Sequence, residues 1–88
     1  MIHAIETGKL IETGKYRHYK GKEYLVYGVA QHSESEEIVV VYRALYGERG
    51  LWVRPLSMFQ EKVEVSGEDI PRFELVQSIP AEQLMEPH

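Results

Sequence analysis

Arg43, Trp52 and Arg54 are the residues of this chain best suited to hold a ligand. Two guanidinium groups beside an indole form a site for a carboxylate or phosphate, because arginine is planar, bidentate and permanently charged. A second chemistry is conceivable at His18, His32 and Glu34, which together would make a two-histidine, one-carboxylate metal set, although their spacing matches no common metal motif. The contiguous His32-Ser33-Glu34 has the letters of a hydrolytic triad, but neighbours on an extended chain point in alternating directions and cannot align as nucleophile, base and orienter. Tyr16, Tyr19, Tyr24 and Tyr27 could line an aromatic peptide groove or fill a core with their hydroxyls wet.

The elements that must position these groups read as short strands. Tyr16 to Tyr19 is one, and Lys20-Gly21-Lys22 turns the chain into a longer one from Glu23 to His32. Both alternations of that second strand are apolar, so Gly28 is expected to mark a bend or bulge. Ser33 to Glu36 is a polar turn, Glu37 to Tyr46 a β-branched and aromatic strand, and Leu51 to Arg54 another, ended by Pro55. Leu56 to Phe59 fits a 3₁₀ turn, Phe59 to Val65 a fifth strand, Ser66 to Pro71 a loop and Phe73 to Val76 a sixth strand. Ser78 and Pro80 open a short C-terminal helical turn. Turn signals every 8–12 residues indicate an all-β fold, a small antiparallel barrel of five to six strands.

If residues 47–50 form a four-residue hairpin loop, Arg43 lies opposite Arg54 and Leu45 opposite Trp52. Ile38, Val40, Tyr42, Ala44, Tyr46, Leu51 and Val53 then form the core face, and two like charges meet on the other, which calls for an anion between them. That anion is either an internal carboxylate, such as Glu23, Glu37 or Glu61, or belongs to a ligand.

Eighty-eight residues support one compact core. The segments expected are an arm at 1–13, a β domain at 14–77 and a tail at 78–88. Ile5-Glu6-Thr7-Gly8-Lys9 recurs as Ile11-Glu12-Thr13-Gly14-Lys15, and the second copy, which runs into the first strand, is expected to be the structural one. The first copy, within residues 1–9, is expected as an edge extension or a frayed arm, and at an open edge it could pair two chains into a homodimer. No cysteine is present, which removes thiolate chemistry and suits a cytoplasmic, reducing setting. No signal peptide or membrane span is evident. With a net charge of −4 and one short basic run at Lys15, Arg17, Lys20 and Lys22, the chain is a poor nucleic-acid binder. The expected role is noncatalytic binding of a protein, a peptide or a small anionic ligand at Arg43, Trp52 and Arg54, with Tyr19 and His18 as neighbours and no cofactor. The alternatives are a metal-assisted enzyme using His18, His32 and Glu34, or a structural or assembly domain.

Four blocks carry a family likeness. They are Gly14-Lys15-Tyr16-Arg17-His18-Tyr19-Lys20-Gly21; Tyr24-x-Val26-x-Gly28-Val29-Ala30-x-His32-Ser33-Glu34; Val41 to Gly47; and Leu51-Trp52-Val53-Arg54-Pro55-x-x-Met58-Phe59. In these blocks, from residue 14 to about 61, the chain resembles the bacterial domain of unknown function family numbered 1653. The resemblance implies an SH3-like barrel and assigns no functional residue.

Overall fold

The structure, a computed structural model, describes residues 10–84. Its elements are β1 (Gly14–His18), β2 (Glu23–Gln31), β3 (Ile38–Ala44), β4 (Leu51–Pro55), α1 (Leu56–Phe59), β5 (Lys62–Val65), β6 (Glu68–Pro71), β7 (Phe73–Ser78) and α2 (Ala81–Leu84). Five strands pair antiparallel in the order β4-β3-β2-β1-β7, and β5 with β6 forms a separate hairpin. The fold is all-β, with seven strands among the described residues rather than five or six. The extra strand is β6, in a segment expected to be loop. Ser66 (φ +53°) and Gly67 (φ +82°) make a two-residue turn with both φ positive, and that geometry matches the right-handed twist of two flanking strands. Only Ile70 is a large apolar residue in Glu68-Asp69-Ile70-Pro71, so no alternation announced it. Gln60 N donates to Leu56 O at 3.0 Å, which makes residues 56–59 one α-helical turn rather than a 3₁₀ turn.

The bulge expected at Gly28 is present. Val26 pairs with Tyr42 but Gly28 pairs with Val41, leaving Tyr27 as the extra residue. One inserted residue inverts the side-chain alternation of everything beyond it. Tyr24 and Val26 therefore face the core before the bulge, and Val29, opposite Val40, packs against it afterwards. This explains why both alternations of β2 are apolar.

The buried cluster comprises Ile11, Tyr16, Val26, Val40, Tyr42, Phe59 and Phe73. Phe59 and Phe73 stack with ring centroids 4.2 Å apart and planes within 4°. Phe59 follows β4 at one end of the strand order, while Phe73 opens β7 at the other. The Arg54 guanidinium also lies over the Phe73 ring, 5.5 Å from its centroid. The sheet must curl for its two ends to share these side chains, which is how so few residues enclose a core.

The second copy of the repeat is structural, as expected. Ile11 and Thr13 are buried, Thr13 Oγ1 donates to Ile79 O at 2.6 Å, and Tyr16 Oη donates to Glu12 O at 2.6 Å. Burial pushes the Tyr16 hydroxyl up to about 12, with the Glu12 carboxylate adding to the effect. The first copy, and any dimer contact through residues 1–9, lie outside the described residues.

Gly14 pairs with both Val26 and Ser78 at φ +145°, and a Cβ there would collide with the backbone carbonyl of Gln77. Because the obstacle is backbone and the φ disfavours side chains, Gly14→Ala is expected to cost more than about 1 kcal/mol. In a domain of this size the melting temperature should fall by at least about 4 °C, measurable by circular dichroism.

Candidate binding cleft

The β3–β4 register decides where the arginines point. Ala44 N donates to Gly50 O at 3.1 Å, and the strand pairs are Arg43 with Leu51, Tyr42 with Trp52, Val41 with Val53 and Val40 with Arg54. Residues 45–49 form the loop, with Gly47 at φ +59° and Arg49 at φ +56°. The register thus lies three residues from that of a four-residue loop. An odd shift moves every β4 side chain to the other face of the sheet. Trp52 and Arg54 consequently share the face of Tyr42 and Val40, while Arg43 lies on the opposite face with Leu51 and Leu25.

This corrects the expected site in two respects. Arg43 and Arg54 do not meet, so no anion is required between them. Val40, Tyr42 and Ala44 are buried as expected, but Leu51 (56% exposed), Val53 (61%) and Tyr46 (41%) are not core. Arg43 has its own local partners: Nε donates to Tyr27 Oη at 3.0 Å and a terminal nitrogen donates to Arg49 O at 2.7 Å. It ties the β3–β4 loop to β2. Of the carboxylates considered as partners, Glu23 pairs with Arg17 (3.2 Å) and Lys15 (3.9 Å), and Glu61 pairs with Arg72 (3.5 Å).

Arg54 stands differently. Nε donates weakly to Tyr42 Oη at 3.4 Å, its face covers Phe73, and among the described residues no carboxylate lies within 4.0 Å of it. It lines a cleft of about 450 Å3 with Tyr24, Tyr42, Tyr46, Trp52 and the loop from Gly47 to Gly50. That volume falls within the range of small-ligand clefts, roughly 300–1,000 Å3. The aromatic wall is ordered by edge contacts of Tyr24 with Tyr42 (5.4 Å) and Tyr46 (5.6 Å), and by a 2.9 Å hydrogen bond between the Tyr24 and Tyr46 hydroxyls. Lys22 Nζ caps the Tyr46 ring at 4.1 Å. A Cβ on Gly50 would sit 3.1 Å from the Trp52 indole nitrogen, so this glycine lets the indole lie along the loop. Burial raises the pKa of the Tyr24 hydroxyl, and its bond to Tyr46 raises it further. At neutral pH that hydroxyl is a hydrogen-bonding phenol and offers no phenolate base. Tyr42 is core, as expected, and also floors the cleft, whereas Tyr46 is exposed; Trp52 and Arg54 join them through the β3–β4 register, which the residue types alone do not fix.

Tyr19 and His18 lie elsewhere, with Arg17, Ile70, Pro71 and Glu74 around a smaller hollow of about 240 Å3. Phe73 stands between the two regions, edge-on to His18 at 5.0 Å and under Arg54. Of the proposed tyrosine groove, Tyr24 alone lines the cleft, while Tyr16 is buried in the core. The metal set is not assembled. His18 N donates to Lys22 O just before β2, whereas His32 follows the far end of that nine-residue strand. His32 Nδ1 instead accepts the backbone N–H groups of Glu34 and Ser35, at 3.2 and 3.3 Å, and so shapes its own turn. No cluster of three metal-ligating side chains occurs among the described residues.

Comparison with known proteins places this geometry in a family. A family model described as a protein of unknown function, DUF1653, matches residues 14–75. The chain belongs to the DUF1653 family. A crystal structure of a DUF1653 protein from Bordetella bronchiseptica is similar, with 39% identity, a TM-score of 0.71, and coverage of 80% of this chain and 92% of that one. No curated protein matches. The DUF1653 match extends past residue 61, where the sequence likeness stopped, and takes in β5, β6 and the Phe73 end of β7.

Two measurements test the local roles in this DUF1653 domain. Arg43→Ala removes the tie between β2 and the β3–β4 loop, and is expected to cost about 1–2 kcal/mol and lower the melting temperature by several degrees. For His18, burial lowers the pKa below 6.5, and the positive charges of Arg72, Lys20 and Arg54 lower it further. The unfolded chain therefore binds a proton that the folded chain resists. The stability contributed by neutral His18 is full above about pH 6.5 and is lost as pH falls through the depressed folded value. NMR titration of the imidazole should give a midpoint below 6.5, and Arg72→Ala should raise it.

Proposed function

We propose that this DUF1653 protein is a noncatalytic binding module whose aromatic cleft takes a ligand with an apolar or aromatic body and a carboxylate or phosphate. The supporting observation is Arg54, a permanent charge set among Tyr42, Trp52 and Phe73 with no carboxylate partner among the described residues. A guanidinium backed by aromatic rings is only partly hydrated, so an incoming carboxylate can form a fork with it at small desolvation cost. Trp52, which is 59% exposed, supplies apolar surface beside it. Glu48 in the cleft lining disfavours highly charged polyanions, as does the net charge of −4, so a peptide, protein or small anion fits better than nucleic acid. No helix among the described residues is long and apolar enough to cross a membrane. We place the protein in the bacterial cytoplasm, a reading supported by the cysteine-free sequence and the Bordetella bronchiseptica relative.

Trp52 is the chain's sole tryptophan, so its fluorescence reads the cleft directly. N-acetylphenylalanine should perturb it saturably, whereas the corresponding uncharged amide should bind at least about tenfold more weakly. Arg54→Gln should abolish that preference while the domain remains folded by circular dichroism. Equal binding of acid and amide to the natural protein would refute the assignment of Arg54.

A further inference from the structure

We infer that the ligand of this cleft is an extended peptide that adds to the free edge of β4, with an acidic side chain opposite Arg54 and an apolar one opposite Trp52. The inference rests on the reading of the cleft given above and goes further by naming the class of partner.

β4 ends the order β4-β3-β2-β1-β7, so among the described residues its outer side has no strand neighbour. The Ala44–Gly50 hydrogen bond fixes which backbone groups face outward. In an antiparallel ladder, residues alternate between pointing their N–H and C=O at the neighbouring strand and pointing them away. Gly50, Trp52 and Arg54 share one parity and bond inward to β3. Leu51 and Val53 therefore present N–H and C=O at the open edge, and Pro55 presents only a carbonyl. Such an edge is normally blunted by charge or shortness. Here Leu51, Trp52 and Val53 are three consecutive apolar residues, each more than half exposed.

Backbone and side-chain demands coincide at this edge. A peptide residue that exchanges both hydrogen bonds with Val53 has neighbours directly opposite Arg54 and Trp52, with Cβ atoms about 4.5–5.5 Å away. Those neighbours point to the cleft face, since residues opposite one another share a face. An antiparallel peptide, like every other pairing in this fold, meets Arg54 first and Trp52 two residues later. The preferred pattern is acid-x-apolar, where x must keep its backbone N–H and so is not proline. Charge complementarity selects an acidic peptide over a second copy of the chain. The hairpin bearing this edge carries Arg43, Arg49 and Arg54 against Glu48 in a protein of net charge −4. Two copies joined edge to edge would bring together two hairpins that each carry net positive charge.

The test uses the blocked peptide acetyl-Thr-Glu-Thr-Phe-Thr-amide, Trp52 fluorescence and backbone amide exchange. The peptide should bind, slow exchange at Leu51 and Val53 at least tenfold, and lose at least tenfold in affinity when its central threonine is N-methylated. Replacing its glutamate by glutamine should weaken it comparably for the natural protein but not for Arg54→Gln. If N-acetylphenylalanine binds while N-methylation has no effect, strand addition is overturned and the anion cleft stands. If neither probe perturbs Trp52, both fail. If sedimentation shows dimers whose Leu51 and Val53 amides are protected without peptide, the edge belongs to a second copy and the peptide assignment is wrong.

Discussion

Phe73 is the side chain on which the arrangement of this domain depends. Its ring is 6% exposed, stacked on Phe59 and edge-on to Tyr24 and His18, with Arg54 against it. Burying a phenylalanine contributes roughly 1.5–3 kcal/mol relative to leaving it exposed, and ordered aromatic contacts add about 0.5–1.5 kcal/mol each. For a chain of 88 residues, whose buried fraction is small, that is a large share of the net stability. The stack is also a geometric constraint. It joins residues from opposite ends of the strand order, so the sheet curls around it although β4 and β7 are not hydrogen-bonded to each other.

The cleft is a by-product of the same curl. The core-facing side of β3 continues from Val40 and Tyr42, which are buried, to Tyr46, which is exposed, while β4 contributes Trp52 and Arg54 in place of aliphatic residues. The inner face therefore opens to solvent still lined by aromatic rings, with Arg54 from β4 and Arg49 from the loop at its boundary. Tyr24 and Tyr46 hold one wall by a hydroxyl pair, and Arg43, from the other side of the sheet, holds the loop by its bond to Arg49 O. The cleft thus combines aromatic surface, the arginines Arg49 and Arg54 and a Tyr24 phenol kept protonated.

Several features were legible in the residues themselves. Lys20-Gly21-Lys22 turns where expected, with Gly21 at φ +109°, and Pro55 is the last residue of β4. The doubled apolar alternation of β2 correctly announced the bulge at Gly28. The β5–β6 hairpin escaped notice because its turn is only Ser66-Gly67 and its second strand is almost wholly polar. The placement of Arg54 escaped for a different reason: whether residues 47–50 close a tight loop or residues 45–49 a wider one depends on backbone angles at Gly47 and Arg49, and either is compatible with the residue types.

Legible in the residues alone are six of the seven strands among the described residues, the bend in β2, the second IETGK copy as the start of the fold, and the presence of arginines among aromatic residues. These follow from local preference and two-residue periodicity, which act within a few residues of one another. Tertiary structure alone decided that Arg54 and Trp52 share the aromatic cleft while Arg43 lies behind the sheet. Strand alternation has a period of two, so an odd difference in loop register reverses every side chain beyond it, and that register is set by packing across the sheet.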